Sequence, residues 1–143
     1  MIKELLKGLI VRLSELDELR YVGIDCGQLD GDRTGVKWPC CLLSVEQMES
    51  SPLLRGGELL RGELRLVYAF VYNVPASLSS NVDVDSLRYL GVVDAIHDKL
   101  MYWRDVEGIG YLTRERMNRT SDLFVGCERW EIVYRFSVEV HHV

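Results

Sequence analysis

Residues 58–73 read ELLRGELRLVYAFVYN, and their alternation decides the fold. Leu60, Gly62, Leu64, Leu66, Tyr68, Phe70 and Tyr72 fall on one side, with Arg61, Glu63, Arg65, Val67, Ala69, Val71 and Asn73 on the other. Period two over this length predicts a half-buried antiparallel strand. At about 3.3 Å per residue it would approach roughly 50 Å, so a bend or bulge near Gly62 is expected, or a first half that projects from the body. Its second half is apolar on both sides and is expected deep in the sheet.

The closing segment, residues 121–143, repeats the pattern. Trp130, Ile132, Tyr134, Phe136, Val138 and Val140 share one face, while Glu131, Arg135, Ser137, Glu139 and His141 take most of the other. Two further strand candidates are the short run 38–45, WPCCLLSV, and residues 111–120, YLTRERMNRT. Pro39 fits the start or edge of a strand, because it has no amide hydrogen to donate. Residues 23–37, studded with glycine and aspartate, read as a loop with room for one short strand. Glu46 to Gly57 is polar and holds Pro52, Gly56 and Gly57, so an exposed loop is expected there.

Two helices complete the pattern. In residues 2–17, Ile2, Leu5, Leu6, Leu9, Leu13 and Leu16 follow the spacing of one helical face. After a loop over 73–81, a second helix is expected from Asp83 or Asp85, either of which suits a cap, to about Trp103. Its apolar face is Leu87, Leu90, Val93, Ile96, Leu100 and Trp103, with Gly91 a mild flaw. Helices bracket strand blocks without alternating with them. This predicts a single α+β domain over 1–143, an antiparallel or mixed sheet of four to five strands packed by two helices.

Composition narrows the function classes. The 143 residues carry 17 basic and 22 acidic side chains, a net charge of −5. That disfavours sequence-independent grip on nucleic acid and adhesion to anionic membranes. The aromatic set Tyr68, Phe70, Tyr72, Trp130, Tyr134 and Phe136 therefore reads as core, not as a platform for bases. The N-terminus has no signal-peptide pattern, which suggests a reducing compartment. Cys26, Cys40, Cys41 and Cys127 form no CxxC pair, and adjacent Cys40 and Cys41 would face opposite ways on a strand. They read as structural thiols, with no metal site expected.

Catalytic signatures are missing from the motifs. His97 has no nucleophile context. The Asp25–Asp32 segment has Gly27 and Val36 at the third and twelfth positions of a cation loop, where oxygen ligands are required. Gly108-Ile109-Gly110 has neither a third glycine nor a following helix. Neither enzymatic turnover nor a cofactor is expected. Arg114, Arg116 and Arg119, with Glu115 among them, form the one local basic cluster.

The layout resembles the tail terminator, or tail completion, family of long-tailed bacteriophages, the lambda type. The resemblance rests on the opening helix Ile2–Leu16, the WPCCLL strand from Trp38, the run Glu63–Pro75, the helix Asp83–Trp103 and the strand Trp130–Val140. It implies a structural protein of the virion tail, assembled in the host cytoplasm. Copies would form a ring, hexameric in this family, that caps the tail tube protein and meets the head-completion (connector) protein. Glu46, Gln47, Glu49, Arg55 and Arg61 would then reach a neighbour or the tube, and Arg114, Arg116 and Arg119 an acidic patch. The alternatives are another neck or minor tail component, or a small ligand-binding domain that dimerises through its sheet and holds a molecule among Tyr68, Tyr72 and Trp130.

Overall fold

The computed structural model describes residues 1–30, 35–71, 80–120 and 126–141. Along the chain run α1 (Ile2–Leu13), β1 (Tyr21–Ile24), β2 (Cys40–Pro52), β3 (Glu58–Val71), α2 (Ser80–Leu100), β4 (Thr113–Thr120) and β5 (Cys127–Val140). The five strands make one open sheet in the order β1-β2-β3-β5-β4. Only β1 and β2 run parallel; β2–β3, β3–β5 and β5–β4 are antiparallel. This is the expected α+β class, with a mixed sheet and two helices.

Alternation divides the sheet into two faces. On the first, Leu64, Leu66, Tyr68 and Phe70 of β3 and Ile132, Tyr134, Phe136 and Val138 of β5 join one apolar cluster with both helices. From α1 come Leu5, Leu6, Leu9 and Leu13; from α2 come Val92, Val93, Ile96 and Leu100. Burying each such aliphatic side chain contributes about 1.5–3 kcal/mol, so this layer dominates stability. The aromatic set is core as expected: Tyr68, Phe70, Tyr134 and Phe136 are buried and Trp130 packs against them, while Tyr72 lies outside the described residues. Gly8 lets Trp103 close on α1, since a Cβ there would stand 2.8 Å from the indole Cζ2.

The second face is apolar at one end only. There Leu29, Val36 and Trp38 of the 25–39 connection cover Cys40, Leu42, Val67 and Ala69. Cys40 thus packs on one face and Cys41 on the other, as their adjacency predicts. Burial pushes the Cys40 thiol up to about 12 and holds Cys41 well above its usual range, so both stay protonated.

Several boundaries differ from expectation. Glu46–Pro52 is not a loop. It extends β2 and pairs with β3 as far as Pro52 and Glu58, leaving a tight turn over 53–57. The irregularity expected at Gly62 falls on β2 instead, between Val45 and Gln47, while β3 pairs β5 without a shift from Glu58 to Val71. α1 ends at Leu13 and is followed by single turns; the Ser14 hydroxyl at its end bonds back to the Ile10 carbonyl at 2.6 Å. α2 begins at Ser80, so Asp83 and Asp85 lie inside the helix and not at its cap. The 73–79 loop, Asp32, residues 121–125 and His142 lie outside the described residues.

Candidate assembly surface

The expected interface residues occupy three places. Glu46 is the extra residue of the β2 bulge, exposed, its carboxylate accepting from the Ser44 hydroxyl at 2.6 Å. Gln47 and Glu49 follow it on the half-open face, opposite Glu63 and Arg61 of β3. With Gly62, Tyr111, Thr113 and Arg135, these residues line a groove of about 330 Å³. A side chain at Gly62 would point to the opposite, helix-side face, where the Phe136 ring already stands against the backbone. Arg55 sits in the turn at the hairpin tip, beside Leu54, which is 107% exposed. Gly56 and Gly57 close that turn at φ +83° and +100°, which glycine alone adopts without strain.

Arg114, Arg116 and Arg119 lie at the opposite edge, on β4. They do not form one face. A second bulge between Arg114 and Arg116 sets Arg114 beside Tyr134 and Arg119 beside Trp130 on the helix side, with Arg116 beside Val133 on the other. Arg116 stands 3.8 Å from Glu115, and Arg119 3.2 Å from Glu128. Strict alternation would have put Arg114 and Arg116 on the same side; the inserted Glu115 turns the strand over between them.

Other residues on these surfaces escaped the sequence reading. Arg135 donates to both oxygens of Glu115, at 2.8 and 2.9 Å, and lies 3.8 Å from Glu63. That hydrogen bond holds the Glu115 carboxyl below the usual range. Arg65 holds Glu131 at 3.0 Å and Asp25 at 3.1 Å, tying the 25–39 connection to the sheet. At the end of α2, exposed Tyr102 meets Tyr111 edge to face, with Arg104 over the Tyr111 ring. The wet-side position of Arg135 was legible in the β5 alternation; its partners depend on register, which alternation does not give.

His97 and Tyr134 face each other, Nδ1 to hydroxyl at 3.0 Å. Burial, then the nearby Arg114 charge, pushes the imidazole below its usual value, and burial raises Tyr134. This is a satisfied packing contact. Tyr68 is fully buried and its hydroxyl donates to the Tyr89 carbonyl at 2.8 Å, so it lines neither this groove nor a second one at Trp38 and Tyr89. Of the three residues of the alternative ligand-binding reading, Tyr72 lies outside the described residues.

The arrangement defines a class: a two-layer α+β domain with both helices on one face and, among the described residues, a sheet that does not close. No family model and no curated protein sequence matches the chain. Among solved structures, one titled "Virion of native gene transfer agent (GTA) particle" contains a chain with the same fold. The two superimpose with a TM-score of 0.60 over 97% of this chain and 98% of that one, at 11% identity.

Proposed function

We propose that the chain is a structural subunit of a phage-like virion and acts as a tail terminator. Copies assemble into a ring on the end of the tail tube, stop its growth and present a surface to the head-completion protein. The observation that carries this reading is the fold shared, nearly end to end, with a chain of a gene transfer agent particle. The terminator-like order of elements in the sequence points the same way. On this reading the protein works by shape and contact and turns over no substrate. Its acidic balance suits a ring through which DNA passes without adhering.

The test is native mass by light scattering after gel filtration, across protein concentration, with the heaviest fraction viewed by negative-stain microscopy. Closed rings are expected. A monomer or a stable dimer at every concentration overturns the ring.

A further inference from the structure

The sheet ends in two edges of opposite charge and nearly equal length. β1 covers only Cys40–Leu43 of β2, so the nine residues Ser44–Pro52 face outward with no strand beside them among the described residues. They carry Glu46 and Glu49 and no basic side chain. At the other end of the sheet β4 spans eight residues, Thr113–Thr120, paired only through β5 among the described residues. It carries Arg114, Arg116 and Arg119 against the single Glu115, which is already held by Arg135.

We infer that Ser44–Pro52 of one copy pairs antiparallel with β4 of a second copy, so that the sheet continues from subunit to subunit. This deepens the ring reading and rests on it. Direction follows from the topology: β2 runs with β5, β4 runs against β5, so a neighbour added in the same orientation meets β2 antiparallel. Register follows from the faces. Setting Met48 opposite Met117 places both half-buried methionines on the helix side, where each already packs against the core. The same register puts Glu49 opposite Arg116 and Gln47 opposite Asn118 on the other side.

Charge also selects the heterologous pairing. Two β2 edges brought together would oppose glutamates, and two β4 edges would oppose arginines; like charges directly opposite are destabilising. The bulges at Glu46 and Glu115 further blunt each edge against copies of itself. A contact between two different patches generates a ring when its rotation closes, whereas a self-complementary one stops at a dimer.

The test uses the full chain with Cys26→Ser, because Cys26 is the exposed thiol and Cys40, Cys41 and Cys127 are buried. With Met48→Cys and Met117→Cys together, mild oxidation is expected to give a ladder of covalent multimers in a denaturing gel. Either cysteine alone is expected to give none. A second arm needs no cysteine: Glu49→Arg or Arg116→Glu each raises the half-assembly concentration at least tenfold, and the two combined bring it back within about threefold. All four side chains are exposed or half-buried, and circular dichroism checks that each variant folds. Wild-type rings with no ladder and no response to charge reversal would sink the edge pairing and leave the ring reading standing. A single cysteine that cross-links to itself would show a self-complementary contact and overturn the pairing. A wild type that never exceeds the monomer mass defeats the ring reading and the pairing with it.

Discussion

Gly62 and Gly91 look alike in the sequence, each a glycine within an otherwise regular element, and the structure separates them. A Cβ on Gly62 would stand 2.6 Å from Phe136 Cζ and 3.1 Å from the Gln47 carbonyl oxygen. Gly91 lies on the exposed side of α2 with nothing within 4 Å. Gly62→Ala is therefore expected to destabilise by about 1–3 kcal/mol, as overpacking does. Gly91→Ala is expected to stabilise by about 0.8–1 kcal/mol through helix propensity. Urea unfolding of both variants checks the pair, and equal effects would contradict the packing. His97 gives a prediction in pH. Its folded pKa lies below the unfolded value of about 6.5, so the native state favours the neutral ring. The stability this contributes is complete above about pH 6.5 and is lost as pH falls from there through the folded pKa. His97→Gln should flatten that part of the stability–pH curve, read by unfolding at half-unit steps. Sequence placed His97 beside an apolar helix face; its partner, Tyr134, required knowing which strand lies beneath.

At the scale of elements, the long strands and both helices were legible because each carries a sustained period. The half of β2 from Glu46 to Pro52 was not. There the bulge puts Glu46 and Gln47 in succession on the exposed side, which breaks the alternation that marks a strand, and Pro52 with two glycines completes a loop-like composition. The bulge itself has a checkable consequence. Val45 pairs with Leu64 and Gln47 with Glu63, so removing Glu46 joins two residues already in register. Deletion of Glu46 should leave the ladder intact and change stability by about 1 kcal/mol or less. Deletion of Leu66 shifts the rest of β3 by one residue and turns its core side chains to the wrong face, so it should abolish cooperative unfolding. Thermal melts followed by circular dichroism separate the two outcomes; a collapse of the Glu46 deletion would mean the bulge is essential to the hairpin. The same cause split the arginine cluster. One inserted residue, Glu115, reverses the side of everything after it, and a count of spacings along the chain does not contain that insertion.

For the molecule as a whole, the sequence marked the charged residues at issue but not that they lie at opposite ends of one sheet. Alternation identifies strands and is silent on their order; the order β1-β2-β3-β5-β4, with β1 covering only Cys40–Leu43, is what leaves the second half of β2 and β4 open among the described residues. In the proposed ring, two electrostatic effects of different range act on assembly. Each subunit carries a net charge of −5, and two such charges roughly 30 Å apart repel by about 3 kcal/mol in unscreened water. That repulsion is long-ranged. With a screening length of about 30 Å at 0.01 M salt and about 10 Å at 0.1 M, most of it disappears across this interval. The Glu–Arg pairs proposed between edges act at contact, at up to about 1 kcal/mol each, and weaken mainly when the screening length nears about 3 Å at 1 M. The half-assembly concentration is therefore expected to fall between 0.01 and 0.1 M sodium chloride and to rise again toward 1 M. Light scattering over that series reads the curve directly. A steady fall to 1 M would mean that apolar contact alone joins the subunits, and the opposite charges of the two edges would have no part in it.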